Sequence, residues 1–207
     1  MPIRLNAEPT FSQRLENSSR AQIGVWVCSG NSTVAEICAS SGVDWLLIDA
    51  EHTPNDLQSI LVQLQAVYGH PATPMVRPPH GDANLIKQYL DLGVQNLLIP
   101  MVNTAEQAAE LVRAVRYPPQ GIRGVGSALA RASMWNRIEG YLGSASDYIS
   151  LYVQIETVEA VENLDAILAV DGIDGIFIGP SDLAASMGLL GQQDYPEVIA
   201  EIGRAHV

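Results

Sequence analysis

Lysine is almost missing from this chain of 207 residues: Lys87 is the single one, and every other basic side chain except histidine is arginine. Chemistry that needs a lysine nucleophile therefore has one candidate. Cysteine is nearly as scarce. Cys28 closes an apolar, strand-like run and Cys38 sits in a helix-like one, so both read as buried free thiols, and nothing demands a disulfide. No apolar run reaches membrane-spanning length, which predicts no membrane partner. Residues 1–20 lack the apolar core of a signal peptide, so the expected location is cytoplasmic. No GxGxxG follows a first strand and no GxxxxGK[ST] occurs, which excludes the two common nucleotide-binding loops. Positive charge is in deficit, with 11 basic residues against 23 acidic and a formal net charge of −12. That balance argues against nucleic acid, whose binding rests on neutralising phosphates.

Apolar residues are plentiful by comparison, at 47% with 16% charged, the composition of a folded globular protein. Their pattern alternates short apolar strands with amphipathic helices. Residues 1–20 read as a leading segment with a short helix near 11–16. Strands are expected over 23–28, 44–49, 73–77, 95–100, 149–156 and 175–179. Helices are expected from Ser32 or Thr33 to about Ser40, from Pro54 to about Tyr68, and over 82–92, 104–116, 135–142, 158–168, 182–187 and 196–207. A long glycine-containing loop covers 121–134. Such alternation means a parallel sheet, and residues 21–207 read as one domain. Polar residues recur just after strands, at Asp49, Arg77, Glu156 and Asp182, where a (β/α)8 TIM barrel places its site. The pattern yields six βα units of the eight a closed barrel needs, so the chain reads as a C-terminally incomplete barrel; a complete open doubly wound sheet is the alternative.

The densest chemistry follows the second strand. The run from Trp45 to His52 passes abruptly from apolar residues to Asp49, Glu51 and His52, and titratable groups at the mouth of a buried strand are costly unless used or paired. A carboxylate beside an imidazole fixes its tautomer and raises its basicity, which makes Asp49 and His52 a general-base pair; the plainer reading is a loop histidine satisfied by hydrogen bonds. Arg77 can hold a carboxylate or a developing enolate oxygen, or form a salt bridge to Asp49 or Glu51. Period-two geometry puts Tyr152, Gln154 and Glu156 on one face of the fifth strand. Glu156 and Asp182 follow consecutive strands, and two carboxylates suit a hard divalent cation; otherwise Glu156 pairs with an arginine and Asp182 caps its helix. The helix start at Ser181 and Asp182 can hold an anion on its free amides, or Ser181 is an ordinary cap. Trp26 is core or a wall of the site.

Read together, Leu46-Leu-Ile-Asp-Ala-Glu-His-Thr-Pro-Asn55, Val76-Arg-Pro78, Leu98-Ile-Pro-Met-Val102, Arg116-Tyr-Pro-Pro119, Arg123-Gly-Val-Gly126, Val153-Gln-Ile-Glu156 and Ile178-Gly-Pro-Ser-Asp-Leu183 resemble the HpcH/HpaI family of class II pyruvate aldolases. The likeness runs from Gln22 onward, and the stretch from Gly124 through Ile138 looks most like the 4-hydroxy-2-oxoheptanedioate aldolases. Ala50 and Ser181 depart from the usual glycine and alanine. The resemblance implies a divalent metal (Mg2+, Mn2+ or Co2+) on Glu156 and Asp182, and Arg77 on the pyruvyl oxygen. It implies proton transfer by His52 with Asp49, Gln154 and Trp26 lining the pocket, and the Ser181 and Asp182 amides on the substrate carboxylate. It further implies a homo-oligomer, a hexamer that exchanges a terminal helix, acting on a 2-oxo acid and an aldehyde in the catabolism of aromatic compounds. The expected reaction is reversible cleavage of a 4-hydroxy-2-oxo acid to pyruvate and an aldehyde. Two rivals stand beside it: a citramalyl-CoA lyase-like enzyme using a CoA thioester, and a non-catalytic oligomerising barrel.

Overall fold

Six strands form one parallel sheet in sequence order, and the pairing is set by short apolar runs that follow helices. The computed structural model describes residues 7–205; His206, expected in the terminal helix, lies outside them. In chain order the elements are α1 (Phe11–Glu16), β1 (Gly24–Val27), α2 (Ser32–Ala39), β2 (Trp45–Asp49), α3 (Leu57–Val67), β3 (Thr73–Arg77), α4 (Ala83–Asp91), β4 (Asn96–Ile99), α5 (Ala105–Val115), α6 (Tyr141–Ser144), β5 (Ser150–Ile155), α7 (Val158–Glu162), α8 (Leu164–Leu168), β6 (Gly175–Ile178), α9 (Pro180–Ser186) and α10 (Pro196–Arg204). Short 3-10 turns at Ser127–Leu129, Arg131–Ser133 and Ala145–Tyr148 flank α6. Six βα units are therefore present among the described residues.

The chain divides into two compact units. One comprises residues up to 97 with 113–150, the other 98–112 with residues from 151 onward. In the first, β1 pairs with β2 from Gly24↔Trp45 to Val27↔Ile48, β2 with β3 from Trp45↔Thr73 to Asp49↔Arg77, and β3 with β4 at Val76↔Leu97. The Trp45 indole lies where a side chain on Gly24 would be, only 2.1 Å from an added Cβ, so glycine there makes room for the largest side chain of β2. Leu46, Leu47, Ile48, Ile60, Val76 and Ile86 are wholly buried. Each such side chain contributes roughly 1.5–3 kcal/mol of hydrophobic stabilisation. The leading helix belongs to this unit: Thr10 caps it in a reciprocal box with Gln13, the Phe11 N–H donates to Asn96 Oδ1 (2.7 Å), and the Phe11 ring packs 5.5 Å from Trp45. In the second unit β5 pairs with β6 from Tyr152↔Gly175 to Ile155↔Ile178. Leu151, Val153, Ile155, Ala160, Ile167, Leu183 and Val198 form its interior.

Several local expectations need correction. Asn31, not Ser32 or Thr33, caps α2, its side chain accepting from the Thr33 and Val34 amides. Pro54 does not open α3. The Thr53 hydroxyl and the Asn55 amide both donate to the Asp49 carbonyl, holding residues 53–55 against the end of β2, and the helix starts later under an Asp56–Ser59 capping box. The helix expected over 135–142 forms only from Tyr141, in α6, because Met134, Trp135 and Asn136 all have positive φ (48°, 56° and 63°), which breaks right-handed helical continuity. Helix is interrupted at Asn163, whose side chain donates to the Asn103 carbonyl (2.9 Å), so 158–168 becomes α7 and α8. The thiols also differ from expectation: Cys28 is exposed just past β1 and Cys38 is half-buried, both free.

Candidate active site

The C-terminal ends of β2 and β3 carry the first group of functional side chains. Their register pairs Asp49 with Arg77, so a carboxylate and a guanidinium meet at neighbouring strand ends. Arg77 Nε donates to Asp49 Oδ1 (2.8 Å) and Nη1 lies 2.7 Å from Glu51 Oε2. The guanidinium carbon sits 4.4 Å from the Trp26 ring centroid, a cation–π geometry. Asp49 and Arg77 are 1% and 4% exposed, so both charges are desolvated and paired. Asp49 Oδ1 also accepts from the Glu51 N–H (3.0 Å) and Oδ2 from the His52 N–H (3.4 Å). Burial pushes the Asp49 carboxyl up, but the Arg77 hydrogen bond, the Glu51 amide, the Arg77 charge and the His52 amide together outweigh it and hold the acid below its ordinary value.

This arrangement alters the sequence-based picture of the histidine. Asp49 touches the backbone of His52 rather than its ring. The imidazole Nε2 lies 3.8 Å from Glu51 Oε2 and the side chain is largely exposed. Glu51, weighed from sequence as a salt-bridge partner of Arg77, is thus the acid that joins Arg77 to His52. The two salt bridges weighed for Arg77, to Asp49 or to Glu51, both form. Trp26 is neither core nor remote: it is partly exposed and stacked on Arg77.

The second unit carries the second group. Glu156 directly follows β5 and is 1% exposed. Its Oε1 accepts from the Met101 N–H (2.8 Å) and its Oε2 from Gln154 Nε2 (2.5 Å). Met101, just past β4, has φ 56°, an uncommon conformation for a side chain of its size, and it presents its amide to Glu156. Nothing in composition or spacing signals that backbone donor. Gly179 closes the other side: a Cβ there would lie 2.4 Å from Glu156 Oε2, 2.8 Å from Glu156 Cβ and 3.0 Å from Gln154 Nε2. Ser181 is not the cap of α9. Gly179 occupies that position with Pro180 inside the first turn, and the exposed Ser181 hydroxyl accepts from Gln193 Nε2 (3.0 Å). Asp182 stands in the same first turn, half-buried.

The donor chemistry here fits a hard divalent cation. Glu156 and Asp182 would supply carboxylate oxygens, and the lack of a side chain at Gly179 is what lets Glu156 and Gln154 occupy that space. Among the described residues no group of three or more His, Cys, Asp and Glu gathers as a metal cage. A two-carboxylate set leaves coordination positions for other ligands, as catalytic sites for such cations do.

Comparison with known proteins gives the family. Residues 22–207 match the model of the HpcH/HpaI aldolase/citrate lyase family. A hydroxypyruvate/pyruvate aldolase of Deinococcus radiodurans is 59% identical over 92% of this chain and 69% of its own length. A 4-hydroxy-2-oxo-heptane-1,7-dioate aldolase of Shigella sonnei is 56% identical over 97% of this chain and 76% of its own length. Among solved structures, a HpcH/HpaI aldolase/citrate lyase family protein from Burkholderia cenocepacia J2315 superposes with a TM-score of 0.90 at 37% identity, over 94% of this chain and 77% of that one. The chain is a carbon–carbon lyase and belongs to the HpcH/HpaI aldolase/citrate lyase family.

Proposed function

We propose that the chain reversibly cleaves 4-hydroxy-2-oxo acids, 4-hydroxy-2-oxoheptanedioate among them, to pyruvate and an aldehyde through a pyruvate enolate. The observation that carries this reading is Arg77, a guanidinium fixed by Asp49, Glu51 and Trp26 at the end of β3. A preorganised cation of this kind stabilises an oxyanion without reorganising during the reaction. Relatives at 55–59% identity named hydroxypyruvate/pyruvate aldolase and 4-hydroxy-2-oxo-heptane-1,7-dioate aldolase support the substrate class.

In the cleavage direction His52 takes the proton from the C4 hydroxyl. The oxygen's electron pair forms the aldehyde carbonyl as the C3–C4 bond breaks, and the bonding pair passes into the enolate. Arg77 holds the enolate oxygen, and a proton delivered to C3 completes pyruvate. Gln154 and Trp26 contact the substrate, and the Ser181 and Asp182 amides receive its carboxylate. Glu156 and Asp182 would hold a divalent cation (Mg2+, Mn2+ or Co2+), which supplies Lewis-acid polarisation of the 2-oxo group when bound. Glu51 replaces Asp49 as the acid that orients the His52 ring; Asp49 instead positions Arg77. The six βα units are read as six of the eight in a (β/α)8 barrel, and the assembly as a homo-oligomer, both supported by family membership.

The test is pyruvate release from a panel of 4-hydroxy-2-oxo acids and CoA thioesters. Assays run on chelator-treated protein before and after adding Mg2+, Mn2+ or Co2+. Cleavage of free oxo acids that disappears with chelator and returns with metal is the expected result. Turnover of thioesters alone would replace the proposed substrate, and chelator-resistant turnover would remove the metal.

A further inference from the structure

At the ends of its strands opposite to Asp49 and Arg77, the first unit contains a cavity of about 340 Å³, beside the starts of β3 and β4. That volume is within the usual range for small-molecule sites, and the reaction above makes no use of it. Its polar groups are unusual. Thr73, the first residue of β3, is 4% exposed, and its hydroxyl has no hydrogen-bond partner among the described residues. An unsatisfied buried hydroxyl is costly, so a group that completes it is favoured.

Two guanidiniums line the same cavity. Arg131 donates from Nη1 to the Leu92 carbonyl (3.1 Å) and lies 5.7 Å from the Tyr68 ring centroid, with no carboxylate paired to it among the described residues. Gly93 leaves the space it needs: a Cβ there would sit 2.7 Å from Arg131 Nη1. Arg14 donates from Nη1 to the Pro71 carbonyl (3.4 Å) and reaches Glu8 at 3.5 Å, while its Nε is buried without a partner. Among the described residues Glu8 is the one acidic side chain on the lining, and it is exposed. The remaining walls are mostly apolar or aromatic, with His70, Gln95 and Asn96 as their polar members; the Gln95 and Asn96 side-chain NH2 groups already donate to backbone carbonyls. Leu64, Val67 and Ile138 contribute, and Tyr141 and Tyr148 stack with centroids 6.0 Å apart and planes 4° from parallel.

Arginine without a carboxylate, an orphan hydroxyl and aromatic walls together specify an anion carried on a flat apolar body. We propose that this cavity is a ligand site for an aromatic carboxylate, with the carboxylate on Arg131 and Thr73 and the ring against Tyr68 and the tyrosine stack. In a chain of net charge −12, such a cationic recess is a selective place for a small anion to settle. The proposal stands apart from the aldolase reading, because binding is measured without turnover.

The probe is 2-naphthoate, titrated by calorimetry into the full chain beside uncharged 2-naphthylmethanol and inorganic phosphate. We expect saturable one-to-one binding of naphthoate, with the alcohol and phosphate each at least tenfold weaker. Arg131→Gln should weaken naphthoate at least tenfold and Thr73→Val several-fold. Arg77→Gln should leave it unchanged, and excess pyruvate should fail to displace it. His70 lines the cavity and His52 does not, so the His70 ring resonances should shift on binding while those of His52 stay put. If Arg131→Gln fails to fold, Thr73→Val and the histidine spectrum still decide. Equal binding of the alcohol, displacement by pyruvate, a shift at His52 in place of His70, or no saturable binding would each overturn the proposal.

Discussion

Replacing Gly179 with alanine is the most direct test of how Glu156 is held. The backbone offers no objection, since Gly179 has φ −98°, which any residue adopts. The obstacle is spatial. The new methyl would stand 2.4 Å from Glu156 Oε2, where ordinary contact begins at 3.4 Å, so the carboxylate must withdraw by about 1 Å. Withdrawal stretches the 2.5 Å bond from Gln154, and turning the side chain instead surrenders the Met101 amide. The methyl would also meet Glu156 Cβ at 2.8 Å, so the root of the side chain has to move as well as its tip. Overpacking of this degree costs about 1–3 kcal/mol, and a hydrogen bond to a charged group is worth about 1.5–3 kcal/mol. Partial relaxation leaves an expected stability loss of about 2–4 kcal/mol in a denaturant titration, within the range of severe single substitutions. A misplacement of about 1 Å at a reacting centre lowers turnover roughly 100-fold, and disturbing the groups behind a metal ligand weakens metal about 10- to 100-fold. Mn2+ affinity and kcat/KM should therefore fall together. Shortening the acid in the same background, with Glu156→Asp, should recover stability without recovering turnover. Wild-type melting and turnover within threefold of the parent would refute the confinement of Glu156 by Gly179.

Three further outcomes follow from named contacts. Asp49→Asn should destabilise the fold at neutral pH by about 3–5 kcal/mol, because it takes the fully buried carboxylate away from the buried Arg77 guanidinium. The acid is held below its ordinary value, so its ionised form stabilises the wild type above about pH 4, and that contribution is lost as pH falls through the depressed value; unfolding titrations from pH 7 down to pH 3 should show a slope that the variant lacks. His52→Ala should lower kcat at least tenfold with little change in KM for the 2-oxo acid, and an unchanged kcat would remove His52 as the base. Asn31→Ala removes the cap shared by the Thr33 and Val34 amides and should cost about 1 kcal/mol in thermal unfolding, without touching turnover.

What could be read in the chain beforehand was whatever local chemistry decides. Strand β3 was legible over 73–77 because an apolar run ends against Pro78 and Pro79, and α4 because Asp82 and Gly93 bracket it. The elements that were misjudged are those settled by distant partners. Pro54 looks like a helix start, but Thr53 and Asn55 are drawn to the Asp49 carbonyl. Residues 135–142 carry a helical pattern, but Ser133 Oγ donates to the Ser127 carbonyl and accepts from the Asn136 N–H, fixing a reversal that no helix survives. The same division holds for the functional groups. That Asp49 and Arg77 stand at strand ends follows from the alternation of the sequence; that they meet follows from sheet register, which one chain does not display. The Arg77–Glu51 pair is legible from the sequence, but the approach of Glu51 to the next residue's ring depends on how the loop turns. The Met101 amide was invisible because backbone donors leave no mark on composition.

The scarcity of lysine then takes on mechanistic weight. A Schiff-base aldolase needs an amine at the reacting carbon, with its pKa lowered by burial or by a neighbouring cation. Lys87 is placed otherwise. It stands on α4, its ammonium donates to Asn84 Oδ1 one turn back (3.4 Å) in an exposed contact, and its stem packs against Gly124. The strand ends hold Asp49, Arg77 and Glu156, none of which can form an imine with a 2-oxo acid. In the proposed reaction, carbanion charge is met by fixed electrostatics in place of a covalent electron sink. That demand explains why a guanidinium is tied down on three sides by Asp49, Glu51 and Trp26. A flexible cation would have to be ordered during the reaction, and the energy spent ordering it would be lost from stabilising the enolate. The buried Asp49–Arg77 pair is consequently better understood as positioning Arg77 than as a source of stability, since a buried ion pair of this kind contributes little net stability over well-packed apolar residues.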